Sequence, residues 1–319
     1  VRILITGVGG ELGSSVARRL ELLPEVEEIA GLDIVAPAHD LRRTRITVVD
    51  PRERRIVTAA VSRFRPTAVV HLGIYEPDAR STPRAAVERT AAGTTTVLGI
   101  AAELGSLDRV VIRSGLEVYG RRRHAPPVPD ESVVPDPTTP FGRSLLRAEQ
   151  VAMSIGDESS VPVAALRFAP IVGPNYPSPL ARLLRLRFAP VSAIADPPFS
   201  LIHHDDAAAA VVAALLRRAD GPLNVLGPGA VTTTQALRMG GRFPVPVLGP
   251  QWTLARRASA ALGSPVPDHL LELLQRGRTA DGTRARAQLH LHPTPTPELA
   301  RELFSWPAPP RITTRRDAA

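Results

Sequence analysis

The chain of 319 residues contains no cysteine and no lysine. The first absence excludes a disulfide framework, a thiol nucleophile and thiolate metal ligation. The second makes all 39 basic residues arginine, beside 33 prolines, which reads as a composition bias more than as an adaptation to phosphate. Aromatic residues are only 4% of the chain. The arginine runs at 41–45, 52–55 and 121–124 therefore lack the interleaved aromatics of a nucleic-acid surface, and the net charge of +8 is expected on solvated loops. Long apolar runs are absent too, so no transmembrane span is expected, and the opening VRILITGVGG has too short an apolar core for a signal peptide. These absences point to a cytoplasmic protein.

What is present is ordinary globular material, 44% hydrophobic and 22% charged. Short apolar runs at 2–6, 28–34, 45–50, 67–73, 109–114 and 162–168 alternate with helical patterns at 11–23, 53–64, 82–105 and 141–155. Such alternation predicts a parallel sheet with helices on both faces, a Rossmann-type doubly wound α/β fold. Beyond residue 168 prolines multiply. A strand at 199–204, a helix at 205–218 and a strand at 222–227 follow, and the remainder reads as short helices among proline-rich loops. The expected division is a dinucleotide-binding domain of 1–172 with 199–227, a smaller discontinuous substrate or cap domain of 173–198 with 228–310, and a tail of 311–319.

The stretch ILITGVGGELGSSVARRL places Gly7, Gly10 and Gly13 directly after a strand and at the opening of a helix. Gly7 permits the tight turn, Gly10 lets a pyrophosphate approach the backbone, and Gly13 allows helix and sheet to pack closely. The N–H groups of the helix start, Glu11 and Leu12 among them, would face the phosphates. Asp33 closes the second strand, about twenty residues on, where a carboxylate accepts from a ribose and repels a 2′-phosphate. NAD is the expected cofactor, with NADP kept open by Arg42 and Arg43 in the following loop.

These residues resemble the extended short-chain dehydrogenase/reductase family, the NAD-dependent sugar epimerases and dehydratases, and within it a UDP-glucose 4-epimerase-like group. TGVGGELG matches the cofactor turn, VVHLGIYEP (69–77) the fourth strand, RSGLEVYG (113–120) the segment of the catalytic Ser or Thr, and LIHHDDAAAAVVAAL (201–215) a later helix entry. The resemblance implies that Asp50 meets the adenine and that Leu72, Gly73 and Ser114 line the cofactor. It also implies an acid/base Tyr, a Lys four residues later and a Ser or Thr. Here PFGRSL puts Phe141 and Leu145 at the Tyr and Lys positions and Gly115 at the hydroxyl position. A phenol titrates near 10 and needs a fixed cation beside it to work at neutral pH. With no lysine in the chain, no shift of register restores the pair. Phe199 stands where the family often has an arginine for a nucleotide-sugar diphosphate, and Arg182, Arg185 and Arg187 are read as one face of an amphipathic helix.

Other residues invite a role. Tyr119 and Glu117 are weak catalytic candidates, with Glu117 expected at the surface. His71 is read as structural. His203, His204, Asp205 and Asp206 suggest a metal site, but neighbours on a strand point to opposite faces and Asp205 suits a helix N-cap, so no metal is expected. The expected function is an NAD(P)-binding protein without the family's catalytic residues, a cofactor sensor or partner subunit. The alternatives are an atypical nucleotide-sugar epimerase, dehydratase or reductase with a relocated acid/base and, more distantly, polyanion binding. A nucleotide-sugar or other anionic small molecule, a protein partner and a homodimer through helices 82–105 and 141–155 are the expected partners.

Overall fold

A computed structural model describes residues 1–37, 39–77, 82–249, 251–261 and 265–307. The tail expected at 311–319 lies outside the described residues. The chain begins with β1 (Arg2–Thr6), α1 (Glu11–Glu21), β2 (Glu28–Asp33), β3 (Thr44–Val48), α2 (Arg54–Phe64), β4 (Ala68–His71), α3 (Pro83–Glu103) and β5 (Arg109–Gly115). A 3-10 turn (Leu116–Tyr119), α4 (Pro140–Ser159), β6 (Val163–Phe168), β7 (Ile171–Val172), α5 (Pro179–Leu184), β8 (Phe188–Ser192), β9 (Pro198–Phe199), β10 (Ile202–His203) and α6 (His204–Leu216) follow. The chain continues with β11 (Gly221–Val225), β12 (Val231–Thr232), α7 (Thr233–Met239), β13 (Phe243–Val247), α8 (Gln251–Ala261), α9 (Asp268–Arg276), α10 (Thr283–Leu289) and α11 (Thr296–Glu302).

Seven strands form one parallel sheet in the order β11-β6-β5-β4-β1-β2-β3. The order reverses between β1 and β4, and in an open α/β sheet the crevice beyond the carboxyl ends at that reversal is where ligands sit. β1, β4 and β6 are almost entirely buried runs of Val, Ile, Leu and Ala, as strands covered on both faces must be. Pro residues at the first turn and threonine caps start two helices cleanly: Thr82 accepts from Ala85 N–H for α3, and Thr139 from Gly142 N–H for α4.

Two buried apolar clusters result. One lies around the seven-stranded sheet and takes in Ala285 and Leu289 of α10. The other joins Leu180, Leu183 and Leu184 of α5 to Phe199, Leu237, Trp252, Leu270, Leu273 and Leu299. The segment expected as one strand at 199–204 is broken into β9 and β10, which pair with different partners, β12 and β7. The proline-rich stretch expected as loops contains β13, hydrogen-bonded in parallel to β8. The helix expected over 180–188 ends at Leu184, so Arg182, Arg185 and Arg187 do not form one helical face: Arg185 donates to the Leu303 and Trp306 carbonyls, and Arg187 stacks on Phe188.

Candidate functional site

The glycine turn lies between β1 and α1 and is built by close approach. Gly7 has φ 74°, and a Cβ there would stand 2.7 Å from the Leu72 carbonyl carbon. A Cβ on Gly13 would overlap the Gly7 carbonyl. Gly10 differs: its nearest neighbour would be the Gly7 oxygen at 3.5 Å, an ordinary contact, so the protein itself leaves room there. Gly10 is the N-cap of α1 and no side chain caps the first turn. The opening N–H groups and the positive end of the helix dipole thus face a cleft of ≈ 250 Å³ lined by Gly7, Gly10, Glu11, Leu12, Gly13, Asp33, Leu72 and Gly73. The room at Gly10 and the uncapped helix start fit a pyrophosphate.

Asp33 accepts from Gly9 N–H at 2.8 Å and Ile34 N–H at 2.6 Å. Burial raises its pKa, and those backbone donors offset only part of the rise. Asp50 is placed otherwise. Arg52 and Arg89 hold its carboxylate at 2.7–3.0 Å and lower its pKa, and it lies outside the cleft lining. Arg43 donates to the Glu21 and Val26 carbonyls and is committed away from Asp33. His71 is fully buried between Thr6 and Thr94, its ring nitrogens 2.8 and 2.9 Å from their hydroxyls, and burial pushes its pKa down to about 4. It is a neutral structural group.

The cleft adjoins a smaller inner cavity of ≈ 50 Å³, the two sharing Glu76, Arg113, Tyr176 and Pro179. Gly115, Phe141 and Leu145 line this inner space. A Cβ on Gly115 would overlap the Glu117 carboxylate and stand 3.2 Å from Leu145 Cδ1. The expectation that Glu117 is a surface residue is therefore corrected. The 3-10 turn folds it inward, where Arg278 donates to it at 2.8 Å. Arg278, 1% exposed, also donates to Glu272 Oε2 at 3.0 Å and to the His269 carbonyl. Glu272 in turn accepts from Thr138. Beside this network His269 of α9 bonds Glu76 at 2.9 Å and packs its ring 4.7 Å from that of Phe141. Burial would raise the Glu76 carboxyl, but the His269 hydrogen bond and the charges of His269, Arg113 and Arg278 hold it low. Sequence reasoning assigned no role to Arg278, Glu272, His269 or Glu76: Glu76 lies within the quoted segment 69–77, but no local motif carries the other three.

Ser114 and Tyr119 belong to a second buried network. Ser114 donates to Glu149, and Arg167 holds the same carboxylate with two bonds at 2.7 and 3.0 Å. Tyr119 accepts from Arg167 at 2.9 Å and donates to Asn224 at 2.8 Å. Burial raises the Tyr119 pKa, and the phenol lies outside the inner cavity lining.

The histidine pair also departs from expectation. β10 ends at His203 and α6 begins at His204, so the alternation of a strand does not extend through them. Nitrogens of His203 and His204 and a carboxylate oxygen of Asp205 come within 4.8 Å of one another. The N-cap is His203, which accepts from Asp205 N–H at 3.3 Å, and not Asp205. Arg19 already holds the Asp205 carboxylate at 3.1 Å, and a helix start disfavours a cation, so we assign no metal there.

Comparison with known proteins agrees with this architecture. An uncharacterized protein of Mycobacterium tuberculosis (strain ATCC 25618 / H37Rv) is 29% identical over 295 residues, covering 90% of this chain and 78% of that protein. Among solved structures, UDP-glucose 4-epimerase of Thermotoga maritima with UDP-glucose superposes with a TM-score of 0.72 at 18% identity, covering 95% of this chain and 96% of that one. The Thermus thermophilus UDP-glucose 4-epimerase in complex with NAD gives 0.72 at 20% identity, covering 96% and 99%. MoeE5 in complex with UDP-glucuronic acid and NAD gives 0.73 at 21%, covering 96% and 97%. These likenesses show a shared fold. The family model of the NAD dependent epimerase/dehydratase family matches residues 3–225, and the chain belongs to that family.

Proposed function

We propose that the protein binds NAD and does not perform the family's Tyr–Lys hydride-transfer chemistry, acting instead as a cofactor sensor or partner subunit. The observation that carries this reading is the Glu117 carboxylate, fixed by Arg278, in the space a side chain on residue 115 would need. A Ser or Thr at that position would require the Glu117 carboxylate to shift from its place beside Arg278. Phe141 and Leu145 add no titratable group.

The cofactor would be held by the N–H groups of Glu11 and Leu12 on its pyrophosphate and by Asp33 on its ribose. Leu72 and Gly73 would lie beneath it. A bound nicotinamide supplies hydride exchange, which the side chains at 115, 141 and 145 are not equipped to accompany with a proton. Asp33 favours NAD over NADP by repelling a 2′-phosphate. A second copy would meet this one through α3 and α4, between which lies a groove lined by Thr90, Ala91, Thr95, Arg143, Arg147 and Gln150.

Calorimetric titration of nucleotide-stripped protein with NAD and NADP tests the reading. NAD should bind and NADP bind more weakly. Gly10→Ala should fold with unchanged stability, because its Cβ has room, yet lose cofactor affinity by about tenfold or more, the effect of one obstructed contact worth about 1.4 kcal/mol. Equal affinity for NAD in wild type and Gly10→Ala would remove the pyrophosphate from this turn.

One observation favours a second reading, an enzyme with a relocated acid/base. His269, paired with Glu76, lines the inner cavity, and Glu76 lines the cleft as well. Turnover of UDP-glucose that His269→Ala abolishes, with NAD affinity kept, would replace the first reading by this one.

A further inference from the structure

Charge and apolar exposure are concentrated together on the smaller part of the molecule. Residues 173–198 and 228–267 hold seven arginines (182, 185, 187, 238, 242, 256 and 257) against a single acid, Asp196, a net +6 of the chain's +8. Arg256 is ion-paired to Asp268, and Arg185 is spent on the carbonyls after α11. Arg187, Arg238 and Arg257 are exposed.

The same segments expose large apolar side chains. Phe188 and Phe243 begin the paired strands β8 and β13, stand opposite each other in register, and stack with centroids 5.6 Å apart while both are more than half exposed. Val245 continues that face of β13 two residues on. Met239 ends α7 just before it, and Ile194 and Leu248 leave the far end of the two strands at 82% and 51% exposure. Leu254 projects from α8 at 70% exposure. An exposed aromatic pair beside charge of one sign, Arg187 stacking on Phe188 and Arg242 preceding Phe243, marks a site of association.

Two occupants are excluded by chemistry on the face itself. A strand cannot add readily to β8 or β13, because Pro190, Pro244 and Pro246 lack the N–H donors of a ladder. A second copy of the same face would bring like charges together. What remains must be negative, extended and able to receive protruding apolar side chains.

We propose that this face, centred on Phe188 and Phe243, docks on an anionic lipid bilayer. The exposed arginines meet headgroups within about one Debye length, about 8 Å at physiological salt. Phe188 and Phe243 enter the boundary between headgroups and acyl chains. The association is peripheral, since no helix among the described residues is long and apolar enough to cross a membrane. It stands independently of the NAD reading.

Sedimentation of the full chain with vesicles of phosphatidylcholine alone, or mixed with phosphatidylglycerol, tests it. Binding is expected to the mixed vesicles only, weakening as salt rises. The exposed double variant Phe188→Ser with Phe243→Ser should lower that binding about a hundredfold or more, the scale expected for withdrawing two aromatic side chains from an apolar environment. Arg238→Glu with Arg257→Glu should abolish it. Arg54→Glu with Arg55→Glu, which reverses charge on the other part of the molecule, should leave it nearly unchanged. Failure to bind the mixed vesicles overturns the proposal. Equal loss with the control pair, or binding indifferent to the two phenylalanines, overturns it in favour of general polyanion attraction.

Discussion

At the scale of single residues, the site is governed by which atoms occupy the space beside residue 115. Glycine there leaves the room into which Glu117 turns to meet Arg278, so Gly115 supports a buried ion pair. Gly115→Ser should destabilise the protein by about 1–3 kcal/mol, the range for forcing atoms into a filled core. A fall in the urea midpoint with an unchanged slope would show this. An unchanged midpoint would mean that Glu117 can leave without cost. The glycines of the cofactor turn were legible beforehand, because each answers a local demand of strand, turn and helix. The inward turn of Glu117 was not, since its partner lies 161 positions away.

At the scale of elements, the 3-10 turn after β5 and the helix α9 are tied through one guanidinium. Arg278 satisfies two carboxylates and a carbonyl in a dry setting, where removing one member leaves uncompensated charge. Arg278→Met should therefore cost about 3–5 kcal/mol. The triple variant with Glu117→Gln and Glu272→Gln should recover part of that, because the remaining amides carry no charge. Chemical denaturation of the three proteins measures both effects. The strands and helices of the seven-stranded sheet were readable from periodicity, as buried parallel strands are continuous apolar runs. β13 was not: its prolines read as loop, and its partner β8 lies 55 residues earlier in register. β9 and β10 were read as one strand because nothing local marks the change of partner between Phe199 and Ile202.

At the scale of the whole molecule, stability should depend on pH through buried His71. Its unfolded pKa is about 6.5 and its folded value is depressed by burial to about 4. The unfolded chain then binds the proton first. The stabilisation is complete above about 6.5 and is lost as pH falls towards 4, at about 1.4 kcal/mol per pH unit and about 3 kcal/mol in all. Glu76, held below its usual value, works in the same direction at lower pH, while Asp33, raised by burial, works against it. The free energy of unfolding followed from pH 7 to pH 4 should fall accordingly, and His71→Asn should flatten the curve by about one proton. An identical slope in that variant would place the titration elsewhere. Assembly belongs to this scale too: a homodimer through α3 and α4 should become monomeric on Ala91→Glu, an exposed position in their groove, as sedimentation velocity would show.

The sequence by itself determined the parallel sheet, the nucleotide turn and the identities at 115, 141 and 145, because periodicity, glycine spacing and residue type are local properties. Only the tertiary structure decided what fills the space beside them. Glu76, Glu117, Glu272, His269 and Arg278 come from distant parts of the chain, and burial forces their charges to pair with whatever the fold brings within reach. The same holds for the exposed phenylalanine pair: the arginines near it were countable in the sequence, but Phe188 and Phe243 stack only because β8 and β13 lie side by side.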